Sequence, residues 1–353
     1  MGWLAWSGGH GTANVHPNVT VDSQIDCGAL MLEGPLPSEL RAMTLLEIGC
    51  LHPVPSQLRI QSIPGEGFSV LITVGQQVFH GLISHTLRAQ TPTFRLTYNW
   101  DHADGSGNLT IEHPGDSAIF CSTLSGCPAL PGALVLGAVS EVRALDGSSN
   151  VLNCIGFHQG PLAVGPSATL DYHTPILTPQ GYRKIGQLHH GDCVVTPSGD
   201  IVPILAQLCR TVPAYGSAAP VRLRAPYFGL HSDLVMAGPQ RMIVGGSVVE
   251  YTFGCDSVLI PAQHLINGTA AIAQPVQDLA TYYQLLLPDG QPMIASNVQV
   301  ESLHVGRIRR RKDVFGRTTL AGLPRHLMPE HSAPTSQILR PFEAITLAAM
   351  RAA

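Results

Sequence analysis

The chain carries sixteen histidines and eight cysteines, the side chains that most often hold metals, attack carbonyl carbons or move protons. The cysteines fall at 27, 50, 121, 127, 154, 193, 209 and 255, and only Cys121 and Cys127 lie close together. Structural zinc needs closely paired ligands, and a disulfide framework needs a dense array in a short chain. Neither pattern is present, so reduced thiols acting as buried apolar fillers in a cytoplasmic protein are expected. The neighbours His189 and His190 project to opposite sides of any strand, which removes a shared metal. Asp101, Asp104 and Asn108 offer oxygen ligands but lack the alternation and distal glutamate of a calcium loop, so they read as a hydrogen-bonded turn. The run Arg307–Lys312 reads as a solvated basic edge. No metal and no cofactor is expected.

The elements that would position any chemistry are turn-dense. Ile176-Leu177 runs into Thr178-Pro179-Gln180-Gly181, and Val194-Val195 runs into Thr196-Pro197-Ser198-Gly199. In each copy proline presets φ at the first corner of a β-turn and glycine tolerates the last. Two successive hairpins of this kind predict a compact β module.

Around them stand further blocks in order. They are Thr174, Ile185, Leu188 and Gly191-Asp192, then Pro220–Arg224, Asp233-Leu234, Pro239-Gln240-Arg241, Val258–Gly268, Tyr283–Leu286 and Glu301–Leu303. Together, from Thr169 to Leu303, they resemble the Hint domain, the self-processing fold of Hedgehog C-terminal regions and inteins, and specifically the bacterial stand-alone Hint proteins. The resemblance implies a nucleophile at the first position that attacks the preceding carbonyl. It also implies a histidine that protonates the departing nitrogen. Counted back from Ile176, the first position is Thr169, where the family usually carries Cys. His264 matches a position where the family commonly has His, and His173 lies just downstream of the junction. Thr169, His264 and His173 are thus the candidate catalytic residues, with the bond after Ala168 as target. The family's Ser-Pro-Gln-His-Arg is here Ala237-Gly-Pro-Gln-Arg241, and its histidine in the block Tyr283–Leu286 is replaced by Gln284. A degenerate, silent site is expected.

Composition fits an all-β reading. Of 353 residues 44% are hydrophobic and 12% charged, with 36 glycines and 28 prolines, enough apolar material for a core and enough turn formers for many short strands. A net charge of −4 argues against nucleic-acid and anionic-membrane partners. The first residues lack a basic segment followed by an apolar one, and no run reaches membrane-span length. A cytoplasmic location is expected, with non-classical export as the alternative.

Residues 1–165 read as an antiparallel β-sandwich similar in texture to concanavalin-like lectin domains. Thr93–Trp100 alternates, with Phe94, Leu96, Tyr98 and Trp100 on one face and Thr93, Arg95, Thr97 and Asn99 on the other, as in a half-buried strand. Asp104-Gly105 signals the hairpin back to Asn108–Glu112. Phe68–Val74 and Gln57–Gln61 alternate similarly. Gly160–Ser167 is expected to be an exposed linker, 166–305 the Hint domain, and 306–353 a tail with a terminal helix opening at Pro341. Two functional readings stand: a Hint protein with a silent cleavage site, and a binding protein whose N-terminal sandwich takes a ligand such as a surface glycan.

Overall fold

The computed structural model describes residues 2–8, 13–37, 41–84, 93–116, 118–144, 152–274, 278–332 and 336–352. The chain divides into two compact units, Met1–Gly165 and Pro166–Ala353.

The first unit is a β-sandwich. One sheet has seven strands in the order Ile119–Ser125, Ser106–Glu112, Thr93–Asp101, Cys27–Pro35, Cys154–Gln159, Trp3–Gly8 and Asn14–Val15. The other is a meander of four, Met43–Cys50, Ser56–Ile63, Gly67–Val74 and Gln77–Ile83. Their inner faces share one core, in which the rings of Phe68 and Phe94 lie 4.7 Å apart and those of Phe79 and Tyr98 5.8 Å apart. The inward alternation Phe94, Leu96, Tyr98, Trp100 is present as the sequence pattern demands.

Three expectations are corrected here. The strand Thr93–Asp101 is buried on both faces. Opposite its apolar side stand Arg95, Thr97 and Asn99, and Arg95 pairs across the ladder with Glu33 on one side and Glu112 on the other. The Arg95 guanidinium meets Glu33 at 2.8 Å, so the buried charges are paired. The segment after Gly160 is likewise no exposed linker. Asn99 accepts from the Leu162 N–H at 2.7 Å and donates to its carbonyl at 3.3 Å, Glu112 accepts from the Gly165 N–H at 2.6 Å, and Leu162 and Val164 are buried. Its backbone groups find partners in side chains, which is what lets a non-strand segment lie on a sheet. Finally, only Cys127 and Cys154 of the eight free cysteines are buried, and Cys209 is exposed. A helix, Gly132–Ala144, also packs into this core through Leu134, Val135, Ala138 and Val139. Its start is continuously apolar, so no helical period marks it in the sequence.

The second unit is built from two large sheets and a two-stranded one, Cys193–Val195 with Ile201–Pro203. A six-stranded one runs Ala206–Pro213, Leu279–Leu286, Leu170–Asp171, Leu234–Ala237, Pro220–Leu223 and Ala271–Ala273. A seven-stranded one runs Gly181–Lys184, Pro175–Thr178, Met293–Ala295, Val298–Val300, Arg241–Gly245, Ser257–Pro261 and Gln337–Ile338. Both Thr-Pro-x-Gly hairpins are formed: Thr178 pairs with Gly181 and Val195 with Ile201, with Gly181 and Gly199 at φ of 100° and 88°. The terminal helix Pro341–Ala352 buries Ala344 and Leu347 in the same core as Ile176 and Val258. The Glu343 carboxylate accepts from the Arg340 N–H at 2.7 Å and caps its start.

Candidate functional site

Three segments converge on Thr169. The residue leads into the short strand Leu170–Asp171, which lies between Leu279–Leu286 and Leu234–Ala237. Its N–H donates to the Tyr283 carbonyl at 3.3 Å, and its carbonyl accepts from the Ala237 N–H at 2.7 Å. These bonds place Gln284 on one flank. On the other is Gln240, in the turn between Leu234–Ala237 and Arg241–Gly245, whose own N–H is tied to the Ala237 carbonyl.

The three side chains form a closed hydrogen-bonded set, all at or below 9% exposure. The Thr169 hydroxyl donates to Gln240 Oε1. Gln284 Nε2 donates to Thr169 Oγ1 at 3.2 Å and to Gln240 Oε1 at 2.9 Å. Gln240 Nε2 donates to the carbonyls of Arg241 and Glu301 at 3.0 and 3.1 Å, and Gln284 Oε1 accepts from the Leu285 N–H at 3.1 Å. Every amide group is thereby used. A primary amide gives and takes hydrogen bonds but neither accepts nor releases a proton near neutrality.

The two candidate histidines are engaged elsewhere. His264 is half-buried, and its Nδ1–H donates to the Leu339 carbonyl at 2.9 Å. Burial lowers its pKa below the ordinary histidine value, with the Leu339 carbonyl opposing, so the ring favours its neutral form. The His173 ring is exposed and sits 3.2 Å from Asp171 Oδ1. Among the described residues neither ring hydrogen-bonds Thr169. Gln240 and Gln284 are the groups that touch the candidate nucleophile; the sequence points to them only through the expectation, drawn from the resemblance, that their two blocks would carry histidine.

In the first unit Trp100 is 2% exposed, and its indole N–H donates to the Ile25 carbonyl at 2.9 Å. It belongs to the core and offers no face to a ligand. The expected turn is present: Asp101 Oδ1 accepts from the Ala103 and Asp104 N–H groups. Among the described residues there is no cluster of His, Cys, Asp and Glu arranged to hold a metal, and no helix is long and apolar enough to cross a membrane.

The Hint domain family model matches residues 169–307, beginning on Thr169. The bacterial intein-like domain of Clostridium thermocellum is similar in structure, at 13% identity and a TM-score of 0.29 over 39% of this chain and 99% of that one. The MchDnaB-1 intein is similar at 13% identity and 0.26, over 38% and 98%. The CBM40 domain of the Ruminococcus gnavus IT-sialidase, bound to α2,3 sialyllactose, matches at 10% identity and 0.26, over 39% and 79%. No curated protein matches the chain. Residues 169–307 are a Hint domain, preceded by a β-sandwich and closed by a short C-terminal helix.

Proposed function

We propose that this Hint domain is a self-processing fold whose cleavage site is chemically silent, and that it serves as a rigid module joined to the N-terminal sandwich. The observation that carries this is the pair of neutral amides around Thr169. An acyl shift would form a bond between Thr169 Oγ1 and the Ala168 carbonyl carbon and break that carbon's bond to the Thr169 nitrogen. The hydroxyl proton must leave and the nitrogen must gain one. Here the hydroxyl proton is directed at Gln240 Oε1, which does not hold it, and the nitrogen's own N–H faces the Tyr283 carbonyl, which has no proton to give. Loss of one general acid–base group typically costs about 10²–10⁴-fold in rate. Two are replaced. The test is trapping: full-length protein incubated with hydroxylamine, which cleaves any ester formed at Thr169, should stay intact, and a hydroxylamine-dependent break after Ala168 would overturn the reading.

A second reading gives the sandwich a ligand of its own, a surface glycan. In its favour is a cleft of about 430 Å³ bordered by Leu4, Gln24, Asp26, Cys27, Gln159 and Gly160, which sets amide and carboxylate groups beside an apolar wall. A glycan array on which the full-length protein gives no signal would remove this reading.

A further inference from the structure

Residues 303–332 contain seven Lys and Arg against two carboxylates, Asp313 and Glu330, in a chain whose net charge is −4. The fold brings Arg309, Arg310 and Arg325 together, while Arg311 pairs with Asp313 at 3.6 Å. The Glu330 carboxylate accepts from Arg309 Nε at 2.6 Å and from Arg310 Nε and Nη2 at 2.8 and 2.5 Å. Arg309 Nη1 donates to the Met328 carbonyl at 2.9 Å, and Arg325 Nε donates to the Arg309 carbonyl. Residues 307–312 and 325–330 are thus stitched side by side, with Ile308, Val314 and Phe315 turned into the interior beneath them. One carboxylate shared by two guanidiniums leaves the pair net positive. Arg307 and Lys312 are exposed and extend the charge along the edge.

Amid these cations the Leu327 side chain is 66% exposed. Leu320 and Met328 on either side of it are buried, so its outward position is not for want of a core. We propose that this surface docks on membranes rich in anionic phospholipid, the guanidinium and ammonium groups meeting headgroup phosphates while Leu327 enters the boundary of the acyl region. Nucleic acid fits less well. The described residues of 303–332 expose no Phe, Tyr or Trp for base stacking, and their α-helix, Lys312–Phe315, is too short to fill a groove. The net acidity of the whole chain does not oppose this docking, because surface potentials act within about 8 Å at physiological salt.

The test is co-sedimentation of the full-length protein with vesicles of phosphatidylcholine alone and with vesicles in which about a third of that lipid is replaced by phosphatidylglycerol. Binding is expected only to the anionic vesicles, and it should be lost in high salt. Each Lys or Arg near such a surface contributes about fivefold, so Arg307→Glu combined with Lys312→Glu should weaken binding at least about 25-fold. Neither side chain supports the fold, and unchanged circular dichroism checks this. Leu327→Ser should weaken binding several-fold while keeping the preference for anionic lipid. The proposal is overturned if wild-type protein ignores anionic vesicles, if the double variant binds as wild type does, or if a single-stranded oligonucleotide or an acidic peptide is bound while vesicles are not.

Discussion

Gln240→Leu should destabilise the C-terminal unit by an amount the hydrogen-bond pattern sets. The side chain is 3% exposed and holds the Thr169 hydroxyl, the Gln284 amide and the carbonyls of Arg241 and Glu301. Most of these have a second partner. The Arg241 carbonyl also accepts from the Glu301 N–H at 3.0 Å, and Gln284 Nε2 reaches the Glu301 carbonyl at 3.4 Å. The Thr169 hydroxyl has no other acceptor in the set. One fully orphaned buried donor and one weakened amide together cost about 2–4 kcal/mol. For a unit of this size that lowers Tm by roughly 5–15 °C. Thr169→Val alone should cost about 1–3 kcal/mol, since the Gln240 oxygen keeps Gln284 as a donor. Combined, the two changes should cost less than their sum by about 1–2 kcal/mol, because leucine and valine leave no orphaned hydroxyl. Urea unfolding of the four proteins measures this coupling. Strict additivity, or a Gln240→Leu cost below about 0.5 kcal/mol, would refute the view that these side chains form one structural unit.

Limited proteolysis should spare Gly160–Gly165, and Asn99→Ala should expose it, because that amide holds both backbone groups of Leu162. Trp100→Ala should unfold the N-terminal unit, at about 3–5 kcal/mol, rather than leave a folded protein lacking one binding contact. Stability should be level above about pH 7 and fall as pH drops through 6.5 and below, because burial holds the folded pKa values of His264 and His331 below the ordinary value, so the unfolded chain takes up protons first. His331 adds a geometric reason: its Nδ1 accepts from the Val305 N–H at 3.3 Å while its Nε2 faces the Leu287 carbonyl. Replacing it with asparagine should flatten the acid limb of a plot of Tm against pH.

The sheets were legible where side-chain period and turn chemistry agree. Thr93–Trp100 alternates, and both Thr-Pro-x-Gly turns leave one backbone conformation open. What the sequence concealed is pairing at long range. Arg95 and Glu33 lie 62 residues apart and make a buried face that a polar alternation would assign to solvent. The same holds for Leu162, whose backbone satisfaction comes from a side chain 63 residues earlier. At the candidate site, the sequence reading rests on register for Thr169 and on the resemblance for the expected histidine positions. That Gln240 and Gln284 close on the hydroxyl depends on strand order, in which Leu170–Asp171 lies between segments about 70 and 115 positions downstream. One turn escaped the sequence reading: Ser296 and Asn297 occupy φ of 46° and 74°, and the Ser296 hydroxyl accepts from the Ser232 N–H at 2.8 Å.

The central claim, that the residues around Thr169 do not move protons, is tested most directly by the intact mass of the purified full-length chain. After prolonged incubation at neutral pH with a strong thiol, the account predicts a single species at 37.5 kDa, indistinguishable from Thr169→Ala treated alike. A fragment ending at Ala168 that forms in the wild-type protein and is absent from Thr169→Ala would contradict it.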